Sequence, residues 1–177
     1  MNRVLFSSKD QTHRTPKVIL DLVRKLGPIG LDPCANVEHQ FAERNYCGTP
    51  PGYLRVVGGD GLQDSWRGFG LVYANPEYGR ALGPWTKKAA YEFSSKLPYL
   101  FPDMENDELV LLVPARNDTR WFQENVLRCD AICFWKGRLR FVGSEASAPF
   151  PSCLAYWGPR REKFREIFAP HGWVVDR

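Results

Sequence analysis

The chain has 177 residues, 44% hydrophobic and 14% aromatic, which suits a single domain of residues 1–177 with its own core and excludes a disordered or stapled mini-protein. The net charge of +4 and a pI near 8.8 are compatible with a polyanionic partner, because lysine and arginine displace phosphate counterions. Cys34, Cys47, Cys129, Cys133 and Cys153 form no C-x-x-C pair, which excludes zinc ribbons and thioredoxin chemistry, leaves no metal expected, and favours reduced thiols in a cytoplasmic protein. No apolar stretch reaches membrane-spanning length, and the polar start from Met1 to Thr15 does not read as a signal peptide.

In chain order, Thr15-Pro16 opens a helix, with Thr15 as N-cap and Pro16 in the first turn. Val18, Ile19, Leu22, Val23 and Leu26 recur at helical spacing until Gly27 stops the pattern. A strand from Ile29 to Leu31 runs into Asp32-Pro33-Cys34-Ala35. A helix is expected from Glu38 to Arg44, and a turn from Gly48 to Gly52. A strand from Tyr53 to Val57 leads into Gly58-Gly59-Asp60-Gly61, and one from Gly70 to Ala74 ends at Asn75-Pro76-Glu77-Tyr78-Gly79. A helix from about Pro84 to Lys96 precedes an exposed loop, Leu97 to Asp107.

Leu109 to Val113 is a strand ending at Pro114-Ala115-Arg116. Trp121 to Leu127 is helical and Ala131 to Trp135 is a strand. Two further strands, Leu139 to Val142 and Cys153 to Trp157, make a hairpin near the C-terminus. A helix from Arg161 to Phe168 and a strand from Trp173 to Val175 follow. The alternation of short β runs with helices argues for one mostly parallel, twisted α/β sheet with flanking helices. Such sheets bind ligands at the carboxyl ends of their strands, so the polar tetrads after Leu31, Val57 and Ala74 are expected to converge.

Asn75-Pro76-Glu77-Tyr78 is the most informative tetrad. The exocyclic amine of adenine is a poor nucleophile because its lone pair is delocalised into the ring. Acceptors must draw its N–H bonds out of the ring plane before it can be alkylated. The side-chain oxygen of Asn75 and the carbonyl of Pro76 are two such acceptors, and proline's fixed φ steadies the second. Tyr78 is an aromatic surface for a base swung out of the duplex. The competing reading is a plain Asn-Pro turn.

Asp32 fits the amino group or ribose of a bound cofactor, or else a turn or helix cap. Asp60 fits the exocyclic amine of a cofactor adenine, or else an Asx-type turn among glycines. Pro33-Cys34 also matches the nucleophile pair of carbon-5 cytosine methyltransferases. Amine methylation needs no covalent intermediate, so Cys34 is read as lying beside the cofactor. The histidines His13, His39 and His171 have no metal or triad spacing.

The ordered series resembles the phage-type, Dam-like DNA N6-adenine methyltransferase family along nearly the whole chain. The matching segments are Thr15-Pro16, Leu31 to Ala35, Asp60-Gly61-Leu62, Trp66, Val72 to Gly79 and Trp85 with Lys87-Lys88-Ala89. They continue through Leu112 to Thr119, Trp121-Phe122, Lys136 to Leu139, Phe141 and Ala148 to Ser152. The resemblance implies a Rossmann-like sheet, S-adenosylmethionine as methyl donor and DNA as partner. It implies cofactor contacts from Asp32, Pro33, Cys34, Asp60 and Asn75, with Thr15 and Pro16 closing over the cofactor.

Asn75, Pro76 and Tyr78 would hold the target adenine, with Glu77 beside it. Arg116, Asp118 and Thr119 would position DNA or order the pocket, unless they only cap the following helix. Lys136 and Arg138 belong to the Lys136 to Ser152 region, which with the Leu97 to Asp107 loop would carry sequence specificity. The chain departs from the family in one place: Glu77 stands where a second proline is usual, which loses rigidity and adds a carboxylate. With Asn75 and Tyr78 kept, activity is expected to survive, with a slowed enzyme as the alternative. Asn-Pro-x-Tyr also serves methylation of cytosine N4, RNA bases and glutamine amides, and an inactive DNA-binding relative is the more distant alternative.

Overall fold

The computed structural model describes residues 14–49, 52, 57–93 and 106–177. The elements run α1 (Lys17–Val23), β1 (Ile29–Asp32), β2 (Arg44–Asn45), β3 (Leu71–Ala74), α2 (Leu82–Phe93), β4 (Glu108–Pro114), α3 (Arg120–Glu124), β5 (Ala131–Trp135), β6 (Ser152–Trp157), α4 (Arg161–Phe168) and β7 (Gly172–Asp176). Every residue of β1, β3, β4 and β6 is buried. Their continuous apolar runs are what strands covered on both faces require.

The strands form one seven-stranded sheet in the order β2-β1-β3-β4-β6-β5-β7. β2, β1, β3 and β4 pair in parallel, while β6 runs antiparallel to both β4 and β5, and β7 antiparallel to β5. β1 to β5 therefore all point one way and β6 and β7 the other, so the mostly parallel sheet expected from the sequence is present. The carboxyl ends of β1, β3, β4 and β5 lie along one edge. Gly30 lets β1 pass the loop that leads into β3, because a Cβ there would sit 1.9 Å from the Phe69 carbonyl oxygen.

Three expectations are corrected. The helix from Glu38 to Arg44 does not form. Asn36 Oδ1 instead accepts from the backbone N–H of Glu38 (3.0 Å) and His39 (2.9 Å), and Arg44–Asn45 then pairs with β1. An Asx turn satisfies these amides locally, and the segment has no apolar stripe to hold a helix on the core.

The Leu139 to Val142 strand is also absent, and its hairpin with it. Both edges of β6 are taken by β4 and β5, so residues 139–142 have no strand to pair with beyond one bridge from Val142 to Arg14. Their alternation is real but reports only that Leu139 and Phe141 turn inward. Finally, Pro16 rather than Thr15 is the N-cap of α1, with no side-chain cap. The strand assigned to Tyr53–Val57, apart from Val57, the last turn of the Pro84–Lys96 helix and most of the Leu97–Asp107 loop fall outside the described residues.

At the opposite edge of the sheet, Glu108 at the start of β4 is buried and bonded to the Tyr156 hydroxyl and to the Arg160 guanidinium. Arg160 itself is 49% exposed. Replacing it with alanine leaves a buried carboxylate without its cation, a change that costs about 3 kcal/mol where the pair is fully buried and less here because water screens the arginine. Arg160→Ala is expected to lower the thermal midpoint by several degrees, measured by calorimetry, and Glu108→Gln in that background to recover part of the loss. No recovery would show that the charge is not what the arginine stabilises.

Candidate active site

The end of β3 delivers Asn75-Pro76-Glu77-Tyr78 to the carboxyl edge, beside the end of β1 that delivers Asp32-Pro33-Cys34. Pro76 and Tyr78 are buried and Glu77 is exposed. The Tyr78 hydroxyl donates to Asn75 Oδ1 at 3.0 Å, and its ring meets Phe141 and Phe150 edge-on at 5.9 and 5.4 Å. Asn75 Nδ2 donates to Thr15 Oγ1 at 3.1 Å, and that hydroxyl lies 3.0 Å from the Tyr73 hydroxyl. Thr15, expected both to cap α1 and to close over the cofactor, makes no cap, and its hydroxyl points to Asn75 and Tyr73.

Asp32 is 4% exposed, and burial raises its carboxyl from the usual 3.8 to about 7, opposed by a 2.9 Å bond from the Cys34 backbone N–H to Oδ1. No cationic side chain among the described residues forms an ion pair with it. Burial and the nearby Asp32 push the Cys34 thiol well up as well. A thiol so disposed stays protonated and is a poor nucleophile, in agreement with the rejection of covalent chemistry at Pro33-Cys34. Burial likewise raises Tyr73 and Tyr78, keeping both phenols neutral hydrogen-bonding groups.

Asp60 closes a turn, its Oδ1 accepting from the backbone N–H of Leu62 (2.9 Å) and Gln63 (3.3 Å). That turn lies against the β1 tetrad: a Cβ on Gly61 would meet the Pro33 carbonyl oxygen at 1.9 Å and the Trp85 ring at 2.6 Å. The Gly61 carbonyl in turn accepts from the buried Trp66 indole N–H at 2.7 Å. Glycine at 61 is therefore what lets the Asp60 loop and the Asp32 loop share one wall.

The tetrads after β1, after Gly59 and after β3 thus meet at one place, together with Thr15 and Pro16. Arg116, Asp118 and Thr119 follow β4 on the same edge. Arg116 and Asp118 are exposed, and the Thr119 hydroxyl donates to the Arg116 carbonyl at 2.7 Å instead of capping α3. Lys136 and Arg138 follow β5 on that edge and are exposed. Tyr73 was missed as a site residue. Its signal was available: a tyrosine two positions before Asn75 on a buried strand points to the same face and needs a partner for its hydroxyl.

Among the described residues no cluster of three or more His, Cys, Asp or Glu side chains is placed to hold a metal, and no helix is long and apolar enough to cross a membrane. Fold and site together define an α/β protein with a cluster of polar side chains at the carboxyl ends of parallel strands. The chain belongs to the DNA N-6-adenine-methyltransferase (Dam) family, whose sequence model matches residues 3–153. Family membership supports methylation of adenine in DNA as its general activity. No curated protein matches the chain.

Proposed function

We infer that the chain transfers a methyl group from S-adenosylmethionine to N6 of an adenine turned out of DNA, on a Rossmann-like methyltransferase sheet. The observation that carries this reading is the junction of Asp32, Asn75 and Tyr78 at one carboxyl edge. A buried carboxyl with no cation paired to it among the described residues suits the ammonium of an amino-acid cofactor. Asp32 would hold that ammonium, Asp60 the cofactor's adenine amine through its second oxygen, and Pro33, Cys34, Thr15 and Pro16 the walls. S-adenosylmethionine, when bound, supplies an electrophilic methyl group on a sulfonium.

The protein's own task is to hold the amine. Asn75 Oδ1 and the Pro76 carbonyl accept its N–H bonds and draw the nitrogen lone pair toward the donor, a geometric demand worth orders of magnitude in rate. The Tyr78 hydroxyl donates to the same Asn75 oxygen and helps to hold it in place. Tyr78 is 5% exposed between Phe141 and Phe150, so base stacking on it requires those rings to part. Arg116, Asp118, Thr119, Lys136 and Arg138, spread along the same edge, are assigned to the DNA flanking the target.

The test offers the protein DNA, RNA and a protein extract in parallel with labelled cofactor. Label entering DNA alone is expected. Label in RNA or protein would shift the substrate to another planar amine, and a gel shift of DNA with no label in any polymer would make the chain an inactive binder. Exposed Glu77 bears on rate. Glu77→Pro restores a rigid turn and removes a carboxylate near the phosphates, and its turnover is expected to rise several-fold, on the order of 1 kcal/mol in barrier. Lower turnover in Glu77→Pro would mean that the carboxylate has a task of its own.

A further inference from the structure

We propose that Tyr73 and Thr15 form a positioning relay that fixes which end of the Asn75 amide faces the substrate. The inference rests on the assignment of Asn75 as acceptor for the target amine.

An asparagine amide has a donor end and an acceptor end of nearly the same shape, and rotation by half a turn about its last bond exchanges them. Methylation of an amine needs the oxygen toward the substrate; the flipped amide would present N–H to N–H and repel it. The choice of rotamer must come from neighbours that distinguish a donor from an acceptor. Tyr78 lies on one side, where its hydroxyl donates to Oδ1, but a phenol can also accept and so does not choose the rotamer alone. Thr15 contributes on the other, where Oγ1 accepts from Nδ2 at 3.1 Å.

A threonine hydroxyl can also donate, so by itself it would tolerate the flipped amide. Tyr73 bears on that choice. Its hydroxyl lies 3.0 Å from Thr15 Oγ1, and its ring is fully buried on β3 and packed edge-on against Phe41 at 5.8 Å. With the Thr15 hydroxyl donating to the Tyr73 oxygen, its single proton is committed and its lone pairs are left to accept the Nδ2–H. A flipped Asn75 would then lose its Thr15 bond and set its oxygen against the Thr15 lone pairs.

The residues come from three places in the sequence, the entry to α1, the middle of β3 and its end. Two of them are one strand repeat apart, which puts Tyr73 and Asn75 on one face of the sheet. Neither Tyr73 nor Thr15 need touch the base for this. They act through Asn75, in the way supporting hydrogen bonds orient a reactive group.

The test combines transfer kinetics with a readout that needs no activity. Thr15→Val is expected to lower kcat roughly 10- to 100-fold with KM for DNA changed less than about threefold, the pattern of a misdirected group. Thr15→Ser, which keeps the hydroxyl, recovers most of that loss. Tyr73→Phe lowers kcat about 3- to 10-fold alone and has little further effect in Thr15→Val, because both act on one bond.

With asparagine side chains isotopically labelled, NMR of the wild-type protein is expected to show the Asn75 amide protons exchanging at least about tenfold more slowly than in Thr15→Val, with Tyr73→Phe between them. Slow exchange lost in the variants supports the relay even if no methyl transfer is found, in which case the functional reading alone fails. Unchanged exchange in Thr15→Val overturns the relay, as does an additive double variant whose kcat loss follows only a fall in thermal midpoint.

Discussion

Asn75→Ala is expected to lower methyl transfer by about 10²- to 10³-fold while thermal unfolding stays close to wild type. The size follows from the chemistry of the amine. Removing one preorganised acceptor from a site that reorients a delocalised lone pair costs as much as removing an oxyanion-hole donor, about 3–4 kcal/mol. Asn75 is half-buried at the end of β3, outside the apolar core, so its loss leaves the sheet intact. Steady-state transfer of label to DNA gives the rate, and calorimetry gives the thermal midpoint. A variant that keeps a tenth of wild-type turnover would remove Asn75 from the centre of the mechanism.

Asp32→Asn has the second-largest effect, and it has two parts of opposite sign. A buried carboxylate facing an ammonium contributes about 2–4 kcal/mol to binding, so cofactor affinity falls roughly 30- to 1,000-fold in the variant. Stability moves the other way. The Asp32 carboxyl is raised to about 7 in the folded chain from an ordinary 3.8, so between those values the folded state holds a proton that the unfolded state has released. The stabilisation this gives is fully present below pH about 4 and is lost as pH rises through about 7, in total on the order of 4 kcal/mol.

Asparagine carries no such titration. The variant is therefore expected to unfold at a higher temperature than wild type at pH 8 and to lose the fall in stability across that window. An ammonium at Asp32 favours the ionised form, so wild-type cofactor affinity should also rise as pH passes about 7. Parallel stability curves for wild type and variant from pH 4 to 8 would show that Asp32 titrates normally.

Much of the architecture was legible where burial is two-sided. The runs that became β1, β3, β4, β5 and β6 are short, apolar and followed by turn residues, and α4 repeats Phe164, Ile167 and Phe168 at helical spacing. Asp32 and Asn75 stood out because a polar residue directly after a buried strand has few structural uses. The reading failed where local pattern and tertiary pairing part. Leu139 and Phe141 alternate like a strand, yet β6 had no free edge to offer them. Nothing in Glu38 to Arg44 announces that Arg44–Asn45 will pair with β1, since that ladder depends on a partner more than ten residues away.

The site was legible as a set of strand ends and less so as a network. Thr15 looked like a cap because the sequence shows only its neighbours. Its partners, Tyr73 and Asn75, lie 58 and 60 residues on and meet it only once the sheet is built. Tyr78 was read as an open stacking surface, whereas the fold closes it between Phe141 and Phe150.

The measurement that bears most directly on the central claim is the identity of the methylated atom. Purified protein is incubated with labelled S-adenosylmethionine and unmethylated DNA, and the DNA is digested to nucleosides and separated. The account predicts label in N6-methyldeoxyadenosine alone. Label in N4-methyldeoxycytidine, or none in any nucleoside while the protein still binds the cofactor, would contradict it.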